Sequence, residues 1–229
     1  MSHNEERHSE AETVNLVEDE DERAILESEN AVRQFDYVLD LIEEVARGAR
    51  PFRLRVSIIQ GLHRIALNGL SAYAGNWRPG ATKIGFSKHV PPGAHLVAEH
   101  MEQMCEYVND NINKKTALHL CAYVMWRLNW IHPFDDGNGR TSRAVSYYVL
   151  CGSLGYQLPG RLTIPEQIST NKKPYYESLE KADQAYEAGN IDVSDLESLL
   201  ESYLAGQLVD ALDDAKRPAG SLQAQRKLH

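Results

Sequence analysis

Two segments of this chain, residues 115–131 and 141–154, are apolar on nearly every side when read at helical spacing. A helix of that kind leaves no face for water and has to be buried, so the pair belongs at the centre of an all-α domain. Between them lies Ile131-His-Pro-Phe-Asp-Asp-Gly-Asn-Gly-Arg-Thr-Ser-Arg143, the densest chemistry in the sequence. Pro133 stops the first helix just after His132, and Gly137 and Gly139 open a turn before the second begins.

Each part of that stretch has its own use. Gly137, Asn138 and Gly139 bring main-chain N–H groups close to a phosphate, and a helix starting just after them points its positive end at the same place. Arg140 and Arg143 share one face of that helix and reach phosphate oxygens with forked, charge-assisted bonds. Asp136 is a hard oxygen ligand of the kind magnesium takes when it also binds nucleotide phosphates. His132 is the side chain of the group suited to exchanging a proton near neutral pH. Phe134 is expected to face the core. Asp135 reads as a solvated or turn-forming carboxylate, and His119, Trp126 and Trp130 as packing or surface residues.

The rest of the chain reads as helices around this centre. Residues 1–22 are polar and carry the run Glu18-Asp-Glu-Asp-Glu22, which predicts an acidic, disordered tail. Residues 22–47 form an amphipathic helix with Ile25, Val32, Phe35, Val38, Leu39, Ile42 and Val45 as its apolar set and a break near residues 28–30. A second helix covers 53–67 and is ended by Asn68-Gly69. Between Gly69 and Gly93 the periodicity gives way to glycines and prolines, predicting a short β-hairpin or extended flap around residues 82–86. Further helices are expected over 93–109, 173–188 and 194–212, the last capped by Ser194, with Leu162-Thr-Ile-Pro165 as a connector. The organisation predicted is a single domain over 23–212, with a flexible tail over 213–229.

Length and charge narrow the class. A chain of 229 residues builds a full core without disulfides, and a net charge of -9 argues against general nucleic-acid binding. Cys105, Cys121 and Cys151 lack the paired spacing of a metal site or disulfide framework and read as core thiols in a reducing compartment. No apolar run long enough to span a membrane and no leader pattern is seen, so a cytoplasmic protein without a membrane partner is expected.

With those residues in view, His132-Pro-Phe-Asp-Asp-Gly-Asn-Gly-Arg-Thr-Ser-Arg143 resembles the signature of the Fic family, His-Pro-Phe-x-Asp/Glu-Gly-Asn-Gly-Arg-x-x-Arg, at every specified position. Ser71–Arg78 with Lys83-Ile84-Gly85 resembles that family's flap, and Tyr175-Tyr-Glu-Ser-Leu179 its late Tyr-Tyr-x-x-Leu element, so the likeness covers about residues 25–190. The resemblance implies a Fic-type helical domain that transfers AMP from ATP to a Ser, Thr or Tyr hydroxyl of a protein target, self-modification included. In that chemistry His132 is the base and Asp136 holds Mg2+. Gly137, Asn138, Gly139, Arg140 and Arg143 hold the phosphates, and Tyr175 and Tyr176 are candidates for the adenine side. Thr82, Lys83, Ile84 and Gly85 of the flap would dock the target as an added strand.

Many family members carry an inhibitory helix with the pattern Ser/Thr-x-x-x-Glu-Gly/Asn. Glu29-Asn30 matches its end, while Ile25 stands where Ser or Thr is expected. This implies a brake in which Glu29 pairs with Arg143 and displaces the terminal phosphate. Gly139 stands where phosphorylating relatives carry lysine, which favours AMP transfer. Removal of AMP by the same site, and a catalytically silent regulatory or binding module of the same fold, remain alternative readings, and homo-oligomers occur in the family.

Overall fold

The computed structural model describes residues 16–85 and 87–216. Among the described residues there are eight α-helices: α1 (Glu20–Ala46), α2 (Val56–Ala66), α3 (Val97–Asn111), α4 (Ala117–Ile131), α5 (Asn138–Leu154), α6 (Ile164–Thr170), α7 (Lys173–Glu187) and α8 (Ser194–Lys216). At the centre α4 packs along α5; α1 and α2 cover α5, while α3, α7 and α8 cover α4. Every residue of α4 from Leu120 to Leu128 and of α5 from Ala144 to Gly152 is buried, as their all-round apolar patterns predict. Cys105, Cys121 and Cys151 are free and buried within this core. Burial pushes their thiols up, Cys105 to about 12 and Cys151 to about 11. No helix among the described residues is long and apolar enough to cross a membrane.

The boundaries follow from local capping. Asp19 accepts from the Glu22 N–H at 2.8 Å, and α1 starts inside the acidic run with Glu20, Asp21 and Glu22 at its positive end. No break occurs at residues 28–30, because the buried side chains of Asn30 and Gln34 donate to the carbonyls of Asn68 and Leu62 at 2.8 and 3.0 Å and hold α1 along α2. Ile25 and Val32, read as part of the apolar face, are instead 62% and 60% exposed. The phase of the helix is set by Asn30, Gln34, Val38, Leu41 and Ile42.

The start of α2 shifts three residues from the expected Arg53 because Asn109 pairs with both the N–H and the carbonyl of Leu54, at 2.9 Å each, holding that residue extended. The connector expected at 162–165 becomes α6, with Thr163 as N-cap and Pro165 in its first turn. Ser194 is the first residue of α8 rather than its cap, and its N–H is taken by Asp192 at 2.9 Å. The flap takes the extended form: no paired strands lie among the described residues, Ile84 is an isolated bridge position, and Phe86 lies outside them. The tails expected over 1–22 and 213–229 fall outside the described residues except for 16–22 and 213–216, and both of these stretches contribute to helices.

Gly152 of α5 is pressed against Phe52: a Cβ there would come within 2.2 Å of the Phe52 ring, which itself lies 5.3 Å from the Tyr148 ring. Gly152→Ala is expected to displace Phe52 and lower stability by about 1–3 kcal/mol, seen as a lower denaturant midpoint.

Candidate active site

α4 ends in a left-handed turn. His132 has φ 50° and ψ 58°, and its N–H still bonds to the Leu128 carbonyl at 2.9 Å, so the chain leaves the helix axis sharply before Pro133. His132 is 5% exposed, and its Nδ1 lies 3.4 Å from the Asn129 carbonyl. With Nδ1–H donating there, Nε2 carries the lone pair.

The loop that follows is fixed from three sides. Phe134 is fully buried, stacked on His63 with ring centroids 3.6 Å apart and planes 5° apart, and flanked by Trp77. The Asn138 side chain accepts from the Phe134 N–H at 3.0 Å and donates to the Phe134 carbonyl at 2.9 Å. Its amide therefore closes the loop. Asp135, expected to be solvated or turn-forming, is 1% exposed; it accepts from Ser71 Oγ at 3.1 Å and from the Asp136 N–H at 3.0 Å, which makes it a buried turn-former. Gly137 has φ 71°, and a Cβ there would fall 2.4 Å from Leu67, so both backbone and space demand glycine.

α5 begins at Asn138, and its first turn forms one wall of a cavity of about 380 Å3. This cavity gathers His132, Asp136, Gly137, Asn138, Gly139, Arg140, Arg143, Tyr175, Tyr176 and Ile84, which lie on three separate stretches of the sequence. Thr82, Lys83 and Gly85 do not line it; Thr82 is buried, Lys83 exposed, and Ile84 turns inward, the alternation of an extended segment. Four further lining residues carried no motif: Arg23, Glu27, Asn129 and Lys172. The Asn129 amide lies 2.8 Å from both Ser142 Oγ and Tyr175 OH, tying the end of α4 to α5 and α7.

The expected brake residue lies elsewhere. Glu29 is on the outer side of α1, 3.0 Å from Arg33 with both side chains about half exposed, and it neither pairs with Arg143 nor lines the cavity. Two residues earlier, Glu27 faces inward and joins a closed ring of opposite charges. Arg23 contacts Glu27 at 3.1 Å and Asp136 at 3.1 Å; Arg140 contacts Asp136 at 3.3 Å and Glu27 at 3.4 Å. The other Asp136 oxygen accepts from the Gly137 N–H at 2.6 Å. Arg23, Glu27, Asn30, Gln34, Val38 and Leu41 recur at steps of three and four, a stripe that places Arg23 and Glu27 on the buried side of α1.

The comparisons bear on this cavity. The Fic/DOC family model matches residues 53–150, which include the flap, α4, the loop and most of α5. Residues 53–150 are a Fic/DOC family domain. Protein adenylyltransferase Fic of Drosophila persimilis is 30% identical over 150 residues, covering 64% of this chain and 28% of that protein; the chain thus spans under a third of its length. A Fic family protein from Desulfovibrio desulfuricans G20 superimposes with a TM-score of 0.63 at 18% identity, over 86% of this chain and 56% of the other. A Fic domain containing signaling protein from Bacteroides thetaiotaomicron gives 0.58 at 22% identity, over 80% and 72%. At those identities the likeness shows the fold.

His63 couples the loop to pH. Its Nδ1 accepts from the Gly75 N–H at 2.8 Å, so Nε2–H donates to the Asp136 carbonyl at 3.0 Å. Burial lowers its pKa from 6.5 to about 4, against the opposing pull of the Asp136 bond. Because the folded value is depressed, its stabilisation is full above pH 6.5 and is lost as pH falls towards 4. Stability is expected to drop by about 3 kcal/mol across that window from this group, and His63→Gln to flatten the profile, measured by denaturant titration at stepped pH.

Proposed function

We propose that this chain transfers AMP from ATP to a hydroxyl of a protein target, and that the amino-terminal half of α1 holds the site closed. The observation that carries the first part is a single cavity in which His132 faces the first turn of α5 with Arg140, Arg143 and Asp136 beside it. The relatives named protein adenylyltransferase support the same reading.

His132 Nε2 takes the proton of the target hydroxyl as its oxygen forms a bond to the α-phosphorus; the bond from that phosphorus to the bridging oxygen breaks, and pyrophosphate leaves. The turn at Gly137 to Arg140 lies where charge develops on phosphate oxygens, and Arg140 and Arg143 hold the distal phosphates. Asp136 would hold Mg2+, an ion that takes its remaining ligands from phosphates and water. Bound at Asp136, it would offset charge on the phosphates. Tyr176, half-buried beside Tyr175, forms the wall available to adenine. The flap around Ile84 is the edge along which a target strand docks.

Closure by α1 rests on the ion-pair ring. Arg23 covers the Asp136 oxygen that the cation needs, and Glu27 engages the arginine that the phosphates need. These side chains are about a quarter to a third exposed, so each pair is worth no more than about 1 kcal/mol, weak enough for the nucleotide to displace.

His132→Ala is expected to lower AMP transfer about 100-fold or more. The double change Arg23→Gln with Glu27→Gln should raise it about tenfold, as 1.4 kcal/mol predicts, while Glu29→Gln leaves it unchanged. Intact-mass spectrometry of AMP adducts on lysate proteins reads all three. A Glu29→Gln form more active than the double variant would contradict this form of closure.

A further inference from the structure

Among the described residues His132 is the one non-glycine with a positive φ, a conformation that costs an L-residue about 1–2 kcal/mol. Its carbonyl is held by a side chain outside the motif. Arg78, 3% exposed, donates from Nε to the His132 carbonyl at 2.8 Å, while the Arg78 main-chain N–H donates to the Pro133 carbonyl at 2.9 Å. The rest of the guanidinium reaches the other way: Nη1 donates to the Gly80 carbonyl at 2.5 Å and Nη2 to the Pro92 carbonyl.

Gly80 and Pro92 bracket the flap segment that turns Ile84 into the cavity. One buried cation therefore joins both ends of the flap to the turn that aims His132. Its side-chain bonds all go to main-chain carbonyls, and burial lowers its pKa, so a buried charge is being kept for geometry that a neutral side chain does not reproduce. The planar fork matters here: three donors at fixed angles meet carbonyls from three separate segments, which a lysine head on a flexible stem does not match.

We propose that Arg78 is a positioning residue that couples the flap to the histidine, so that a target strand seated on the flap acts on the base through the Gly80 and Pro92 carbonyls. The kinetic consequence rests on the AMP-transfer reading; the coupling itself does not. Arg78→Met keeps the apolar stem and removes the donors, and Arg78→Lys keeps the charge and part of the bonding.

In steady-state AMP transfer, Arg78→Met is expected to lower kcat at least about tenfold with KM for ATP within about twofold, and Arg78→Lys to fall between it and the unaltered protein. In hydrogen–deuterium exchange, residues 79–92 and 132–138 should lose protection together in Arg78→Met, with α4 unchanged. An unaltered kcat, a loss confined to KM for ATP, or deprotection of the flap alone overturns the proposal. If Arg78→Met does not fold, the same two readouts on Arg78→Lys decide it, and full activity with normal exchange there overturns it. Absence of AMP transfer by the unaltered protein would sink the proposed function, while the exchange result would still decide the coupling.

Discussion

The bond between Arg78 and the His132 carbonyl stands where the buried core, the flap and the reactive loop meet. α4 is enclosed on all sides, so its end is a rigid platform, and the left-handed turn there throws the next peptide across the mouth of α5. Such a turn persists only where its surroundings overdetermine it. Arg78 holds its carbonyl, Phe134 is clamped between His63 and Trp77, and Asn138 bonds both sides of the Phe134 peptide. These contacts set the backbone of the loop, and Asp136, Arg140 and His132 line the cavity beside it.

α1 is held to the rest of the domain by two different kinds of contact along its length. Its carboxyl-terminal half is anchored by Val38, Leu41 and Ile42, which are 0–3% exposed, and by Gln34, while Asn30 at the end of the amino-terminal half is bonded to the Asn68 carbonyl. Its first turns meet the site through partly exposed ion pairs, with Leu26 packed beside them against Ala66, Leu67 and Leu70. Burying aliphatic side chains contributes about 1.5–3 kcal/mol each, whereas such ion pairs contribute less than about 1, so apolar burial holds the helix more than the ion-pair ring does.

The sequence was most legible where function is local. The stretch from His132 to Arg143 carries its histidine, carboxylate, glycines and arginines in one run, and the apolar patterns on either side place it in the core. What stayed hidden depended on long-range geometry. The dipeptide Glu29-Asn30 drew attention to Glu29, yet at about 100° per residue two positions amount to more than half a turn, and the buried stripe through Asn30 and Gln34 brings Glu27 inward instead. Exposed Ile25 and Val32 obscured that phase, because apolar residues outside the core look like core in a periodicity count. Arg78 read as one charged residue in a flap; only the fold shows that its guanidinium meets the carbonyls of Gly80, Pro92 and His132 together. The second Asp of the motif faces the cavity while Asp135 turns into the protein, a difference set by Ser71, 64 residues earlier.

In the proposed reaction this cavity moves the α-phosphorus of ATP with its nucleoside. Parallel incubations of the protein and a cell lysate with magnesium and ATP labelled at either the α- or the γ-phosphate test it most directly. Label on protein from the α position alone, with labelled pyrophosphate released from the γ position, is the predicted result. Label retained from the γ position, or none from either position even with Arg23 and Glu27 replaced, would contradict the account.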